Sequence, residues 1–241
     1  MYHGCGRQGY ILPETFAQGC SFNAREISPA AAAFLAETVC RTENLDGLAR
    51  EFYNDTYRND QNACSYPQMI FWLGTKTQAE MAAERFWQAV SELLKERQYP
   101  VPASVAVRKL DASLRLAAEF DGVQILHDEN RLVRVQVPVL REAMWDDTAP
   151  GGFFIESCGE DLQDMSGILS GHCQTLCVCG LNPEETANRL AGWRVSGVDR
   201  VVPVGHALDF SLTWDGFDLI ASMSREISSS LFAFANFTYY N

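Results

Sequence analysis

The chain has 241 residues, 47% of them apolar, and its 31 Asp and Glu against 19 Lys and Arg leave a net charge of -12. A chain of this length can bury a substantial core within one large domain. The acidic balance argues against nucleic acid and against anionic membrane surfaces, since both attract basic patches.

No apolar run reaches the length of a membrane span. The start, Met1-Tyr2-His3-Gly4-Cys5-Gly6, has neither the basic residues nor the apolar stretch of a secretory signal. The eight cysteines are scattered without the spacing of a disulfide framework. Together these features predict a cytoplasmic protein with reduced thiols.

In chain order, residues 1–19 mix glycines, Pro13 and polar residues and read as loops with at most one short strand. Ser28-Pro29 reads as a helix start, and the alanine-rich run 30–39 as the helix it opens. Asn44 or Thr42 then caps a second helix, in which Leu45, Leu48, Ala49 and Phe52 recur at three and four residues and form one apolar face. That helix leads into the polar loop Asp60-Gln61-Asn62-Ala63-Cys64-Ser65-Tyr66-Pro67. The run Met69-Ile70-Phe71-Trp72-Leu73-Gly74 beyond it reads as a buried strand closed by a glycine.

Thr77-x-x-Glu80 has the pattern of a capping box. It opens the clearest helix, whose stripe is Ala79, Ala82, Phe86, Ala89, Val90, Leu93 and Leu94, and which Pro100 and Pro102 stop. A further helix is predicted over 105–120. Strands over 123–126 and 132–137 are joined through Asp128-Glu129-Asn130. A turn-rich stretch, 146–152, precedes the strand Phe153-Phe154-Ile155, and residues 161–169 read as helical. The strand 173–178, the helix from Asn182-Pro183 to Ala191 and the strand 200–204 form a β-α-β unit. The aromatic tail, residues 231–240, alternates in part and reads as a strand that needs an edge or a partner, most simply in a homo-oligomer. Strands interleaved with helices predict an α/β fold with a mostly parallel sheet flanked by helices. Residues 1–205 form its catalytic domain, and residues 206–241 a return segment with an oligomerisation strand.

Cys64 is the leading functional candidate. A cysteine in a polar loop between a helix and a buried strand is held on a rigid scaffold and can still meet solvent, which a nucleophilic thiol needs. The competing reading is a buried thiol among apolar residues.

Gln61-Asn62-Ala63-Cys64-Ser65-Tyr66-Pro67 resembles the active-site segment of the LuxC-type fatty acyl-CoA reductases of bacterial luminescence, divergent members of the aldehyde dehydrogenase superfamily. There a glutamine shortly precedes the nucleophilic cysteine and Ser-x-Pro follows it. Gln174-Thr175-Leu176 resembles that family's Gln-Thr strand. Arg200-Val201-Val202-Pro203-Val204-Gly205, Trp214-Asp215-Gly216-Phe217-Asp218-Leu219 and Ser224-Arg225 resemble its C-terminal signature in order and spacing.

The resemblance implies an aldehyde dehydrogenase-like catalytic domain in which Cys64 takes the acyl group from an acyl-CoA or acyl-protein substrate. NADPH then reduces the thioester to a long-chain aldehyde. Gln61 and Asn62 become candidate substrate-binding amides at the oxyanion, and acyl-transferase or synthetase chains become candidate partners. Hydrolytic aldehyde dehydrogenases carry a water-activating glutamate in a Glu-Leu-Gly-Gly-Lys segment. The counterpart here, Phe16-Ala17-Gln18-Gly19-Cys20-Ser21-Phe22, has none. The Gly-x-Gly-x-x-Gly at residues 4–9 lies in the loop-like start, with no predicted strand before it and no predicted helix opening after it, so it lacks the setting of a dinucleotide-binding turn. In the family the cofactor is bound mainly by an N-terminal half, so this chain resembles the catalytic half alone. Two other readings are a non-catalytic, partner-binding subunit of a reductase complex, and a cysteine acyltransferase or thioesterase that stops at acyl transfer.

Other conspicuous residues read as structural. His172-Cys173, Cys177 and Cys179 lack a second Cys-x-x-Cys pair for zinc. Alternation places Cys173, Thr175, Cys177 and Cys179 on one strand face, as buried thiols. His206 could act as a general acid, but the plainer reading is a loop histidine. Trp214-Asp215-Gly216 reads as a tight turn, and Arg225 as a surface ion-pair residue.

Overall fold

A computed structural model describes residues 30–169, 173–214 and 217–224. In chain order the regular elements begin with β1 (Ala30–Leu35), α1 (Ala36–Arg41), α2 (Leu45–Asp55), β2 (Pro67–Leu73), α3 (Lys76–Glu96), α4 (Ala103–Glu119), β3 (Gln124–Asp128) and β4 (Leu132–Gln136). They continue with β5 (Phe153–Gly159), α5 (Ser166–Leu169), β6 (Thr175–Cys179), α6 (Pro183–Gly192), β7 (Arg200–Pro203), β8 (Thr213–Trp214), β9 (Phe217–Asp218) and α7 (Leu219–Met223). The main sheet has the order β3-β4-β5-β2-β1-β6-β7. Every pair in it is parallel except β3 with β4, the two strands joined through Asp128-Glu129-Asn130, which pair antiparallel. The α/β architecture read from the sequence is therefore the one observed.

The alanine run is the main departure. Residues 30–35 are a central strand, and only Ala36–Arg41 is helical. Alanine is the best helix former, but residues 30–34 are fully buried and pair with β2 on one side and β6 on the other. A propensity difference of about 0.5 kcal/mol per residue does not outweigh two hydrogen-bonded ladders and complete burial. Small side chains also let helices approach closely on both faces. Ser28 and Pro29 lie outside the described residues, as do residues 1–27 and the aromatic tail.

Alternation along the strands feeds two cores. Ala32, Phe34, Ile70, Trp72 and Phe154 pack against α1, α2 and α3 through Val39, Phe52, Phe86, Trp87 and Val90. Ala31, Ala33, Phe71, Ile155, Leu176 and Val178 pack on the opposite face with Leu116 of α4, Ile168 of α5 and Leu190 of α6. The first core is dominated by rings: Phe52 meets Phe86 edge-on at 5.1 Å and Trp87 at 5.5 Å, within the range where aromatic pairs attract.

Two local expectations change. The capping box of α3 is Thr75 with Gln78, two residues earlier than predicted: Thr75 Oγ1 accepts from Gln78 N at 3.4 Å, and Gln78 Oε1 accepts from Thr75 N at 3.1 Å. Cys173 precedes β6 and packs with Leu176 and Val178, whereas Cys177 lies on the other face, with Cys179 packed against it. The alternation argument fails at Cys173 because the strand begins only at Thr175. Burial pushes the Cys173 thiol up to about 12 and the Cys179 thiol to about 11, so both are inert at neutral pH. No cluster able to hold a metal ion occurs among the described residues. The β6-α6-β7 unit forms as expected, with Asn182 capping α6 through Glu185 N at 3.1 Å. β8 and β9 pair antiparallel with Trp214 opposite Phe217; Asp215 and Gly216 lie outside the described residues.

Candidate active site

The cysteine loop joins the end of α2 to the start of β2, at the amino end of the parallel sheet. It opens with a 3-10 turn, Tyr57–Asn59, after which Asp60 and Gln61 both take left-handed backbone conformations at φ 55°. Successive non-glycine residues in that region cost on the order of 1–2 kcal/mol each. They persist only where the surroundings hold them.

The hold is visible. Gln61 is buried, and its side chain makes four hydrogen bonds. Oε1 accepts from Gly152 N at 2.6 Å and from Phe153 N at 3.0 Å, while Nε2 donates to Pro67 O at 3.1 Å and Phe153 O at 3.2 Å. Asp60 is tied at both ends: its carbonyl accepts from Gly151 N at 3.0 Å and its carboxylate from the Tyr99 hydroxyl at 2.5 Å. Gly152 has φ 93°, and a Cβ there would lie 2.2 Å from the Arg131 carbonyl oxygen, so only glycine serves.

These contacts revise the expected role of Gln61. Both hydrogens and both lone pairs of its amide are already committed within the protein, which leaves none for a substrate oxygen. Gln61 is a clamp that fixes the loop to the start of β5. Asn62 differs: it is exposed, and Nδ2 spends one hydrogen on Asn59 O at 3.1 Å. Cys64 is half-buried, between the exposed Asn62 and the buried Ser65 and Tyr66. The N–H groups of Ala63 and Ser65, on either side of the cysteine, have no hydrogen-bond partner among the described residues.

The other face of this region is held by a group the sequence did not single out. Asp55, the last residue of α2, is 1% exposed; its carboxylate accepts from Gly205 N at 2.5 Å and Ala207 N at 3.0 Å. It thereby pins the chain leaving β7 beside the start of the cysteine loop. Gly205 has φ 97°, and a Cβ there would meet Glu51 Cβ at 2.9 Å. His206 is 54% exposed and pairs through Nδ1 with Asp209 Oδ2 at 2.6 Å, which pushes its pKa up. This carboxylate partner lies three residues on in the chain.

Burial pushes the Asp55 carboxyl up to about 6, against the opposing pull of the Gly205 and Ala207 amides. The folded state therefore binds more protons than the unfolded chain between about pH 4 and 6, and burying the ionised form costs stability above that window. Asp55→Asn removes this titration. Relative to the asparagine variant, the wild type is expected to gain up to ~3 kcal/mol as pH falls from 7 to 4. Urea unfolding of both proteins at several pH values measures it, and a constant difference would remove the assignment.

The sequence matches the acyl-CoA reductase (LuxC) family over residues 33–226. No curated protein matches it. Among solved structures, a methylmalonate-semialdehyde dehydrogenase (DddC) from Oceanimonas doudoroffii superposes with a TM-score of 0.50 at 10% identity, over 77% of this chain and 40% of that one. An NAD-dependent aldehyde dehydrogenase from Sinorhizobium meliloti gives 0.50 at 14% identity, over 78% and 38%. A Delta-pyrroline-5-carboxylate dehydrogenase from Mycobacterium tuberculosis gives 0.50 at 12% identity, over 73% and 35%. At such identities the likeness concerns the fold, and this chain spans about two fifths or less of each solved chain.

Proposed function

The chain belongs to the acyl-CoA reductase (LuxC) family, and from that premise we propose that it performs the acyl-transfer half of fatty acyl-CoA reduction, with Cys64 as the nucleophile. The observation that carries this reading is the cysteine loop itself. A half-buried thiol is flanked in sequence by two backbone N–H groups that have no partner among the described residues, on a loop held in a strained conformation by the Gln61 clamp.

The Cys64 thiolate attacks the thioester carbonyl. A carbon–sulfur bond forms, and the carbonyl oxygen becomes an oxyanion. The N–H groups of Ala63 and Ser65 are the nearest donors in sequence to receive it, with the Asn62 amide as a third; losing one such donor typically costs about 100- to 1000-fold. Collapse expels coenzyme A as its thiolate and leaves the acyl group on Cys64. Thioester replaces thioester, so the step is nearly balanced in energy.

In the family, NADPH supplies the hydride that takes such a thioester to the aldehyde. The described residues do not fit that cofactor. The strand-to-helix turns after β1, β2 and β6 carry no Gly-x-Gly-x-x-Gly. In this reading the hydride step needs a cofactor-binding half in addition to the described residues.

Incubating the chain with a long-chain acyl-CoA and NADPH tests the reading. The expected result is a stable acyl adduct, seen as a mass increase, with little NADPH oxidation until a nucleotide-binding half is added. Release of free fatty acid without an adduct would favour a thioesterase. Robust aldehyde formation by the chain alone would show that the cofactor site lies within it.

A further inference from the structure

Lys109 sits on the inward face of α4 and is 1% exposed. Its Nζ donates to Asn130 O at 2.7 Å and to Gly151 O. No carboxylate among the described residues pairs with it, and burial pushes its pKa down to about 8. An ammonium buried without a counter-charge is costly, and an apolar side chain of similar length would pack at this position at lower cost. What the ammonium supplies and an apolar group cannot is a hold on two carbonyls.

Those carbonyls belong to the turns that lead into β4 and β5, both with left-handed backbone: Glu129 and Asn130 at φ 50° and 58°, Gly151 and Gly152 at 74° and 93°. The second turn carries the cysteine loop. Gly151 N donates to Asp60 O, and Gly152 N to Gln61 Oε1. The path from Lys109 to the loop therefore runs through Gly151 to Asp60 and through the adjoining Gly152 to Gln61, the two strained positions that precede Cys64.

We propose that Lys109 is a positioning residue for Cys64, fixing the cysteine loop through the Gly151 turn. This rests on the reading of Cys64 as nucleophile, so its test includes a measurement independent of that reading. In the full chain, Lys109→Met is expected to slow acylation of Cys64 at saturating acyl-CoA by about tenfold or more, since a displacement of about 1 Å can cost 100-fold. The dissociation constant for acyl-CoA should stay within about twofold of the wild type, because the loss is in alignment, not in uniform binding. Lys109→Arg should restore most of the rate. It keeps the charge and the donors, and an adjoining cavity of about 250 Å³ lined by Leu110, Ile125 and Val133 gives the larger head room.

Iodoacetamide alkylation, followed peptide by peptide, reads the thiol's position whatever its catalytic role. Cys64 should change by about fivefold or more in Lys109→Met, with Cys40 within about twofold as the internal standard. An unchanged Cys64 rate, an equal shift at Cys40, or failure of arginine to rescue would overturn the proposal. If Lys109→Met does not fold, Lys109→Gln carries the same comparison. If Cys64→Ala still takes up acyl label, the nucleophile reading fails while the alkylation rates still decide for or against Lys109.

Discussion

Cys64→Ala abolishes acyl-enzyme formation: that is the expected result of a single-turnover experiment with labelled acyl-CoA, read by the mass of the loop peptide. Removing the nucleophile from a covalent catalyst typically costs on the order of 10⁴-fold or more, because no neighbouring group substitutes for the lost bond. The other described thiols are poor substitutes for stated reasons. Cys40 packs against the aromatic core, and its Sγ donates to Gln78 O at 3.6 Å. Cys173 and Cys177 are buried within the two cores. Cys179 is held protonated by burial, and desolvation pushes Cys158 upward, assisted by Glu80 and Glu156. Only a thiol on a partly exposed polar loop combines access with a fixed approach to a carbonyl. The alanine variant should keep its fold, since Cys64 is not part of either core. Equal labelling of Cys64→Ala would remove the nucleophile assignment and leave a binding role for the chain.

How far the sequence announced this arrangement depends on how local each signal is. The α3 stripe, the Asn44 cap of α2 and the β6-α6-β7 unit are contained within short windows, and periodicity and capping chemistry suffice to place them. The alanine strand was missed because its identity is set by what pairs with it, β2 and β6, and not by its own residues. The site divides in the same way. Cys64 stands out through its neighbours in sequence. The role of Gln61 does not, because the groups it clamps, Gly152 and Phe153, lie about ninety residues further on. Asp55 was hidden for the same reason: its partners are 150 and 152 residues away. A buried carboxylate at the end of an amphipathic helix looks like an ordinary solvated end until the fold supplies the amides.

The buried carboxylate of Glu156 carries the second large expectation. The sequence places the strand at Phe153-Phe154-Ile155, yet β5 runs on to Gly159. Glu156 is 2% exposed and is saturated with donors. Oε1 accepts from Arg134 Nε at 2.9 Å, from its terminal nitrogen at 2.6 Å and from Gln136 Nε2 at 3.1 Å; Oε2 accepts from Trp72 Nε1 at 3.0 Å and Trp87 Nε1 at 2.8 Å. The carboxylate thus joins β4, β2 and α3 around one point, and satisfies two indoles that the aromatic core would otherwise bury unpaired. Glu156→Leu leaves the Arg134 guanidinium, 14% exposed, without its counter-charge and both indole N–H groups without acceptors. The expected loss of stability is about 3–5 kcal/mol, the usual result of breaking a buried ion pair from one side. Removing both ions separates this cost from simple packing: Arg134→Met combined with Glu156→Leu should recover a large part of the loss, because the orphaned charge is gone and only the indoles remain unsatisfied. Urea midpoints of the wild type, both single variants and the double variant form the cycle. A double variant as unstable as the sum of the singles would mean that the two groups act independently, and that the carboxylate matters here for its shape and not for the charge it neutralises.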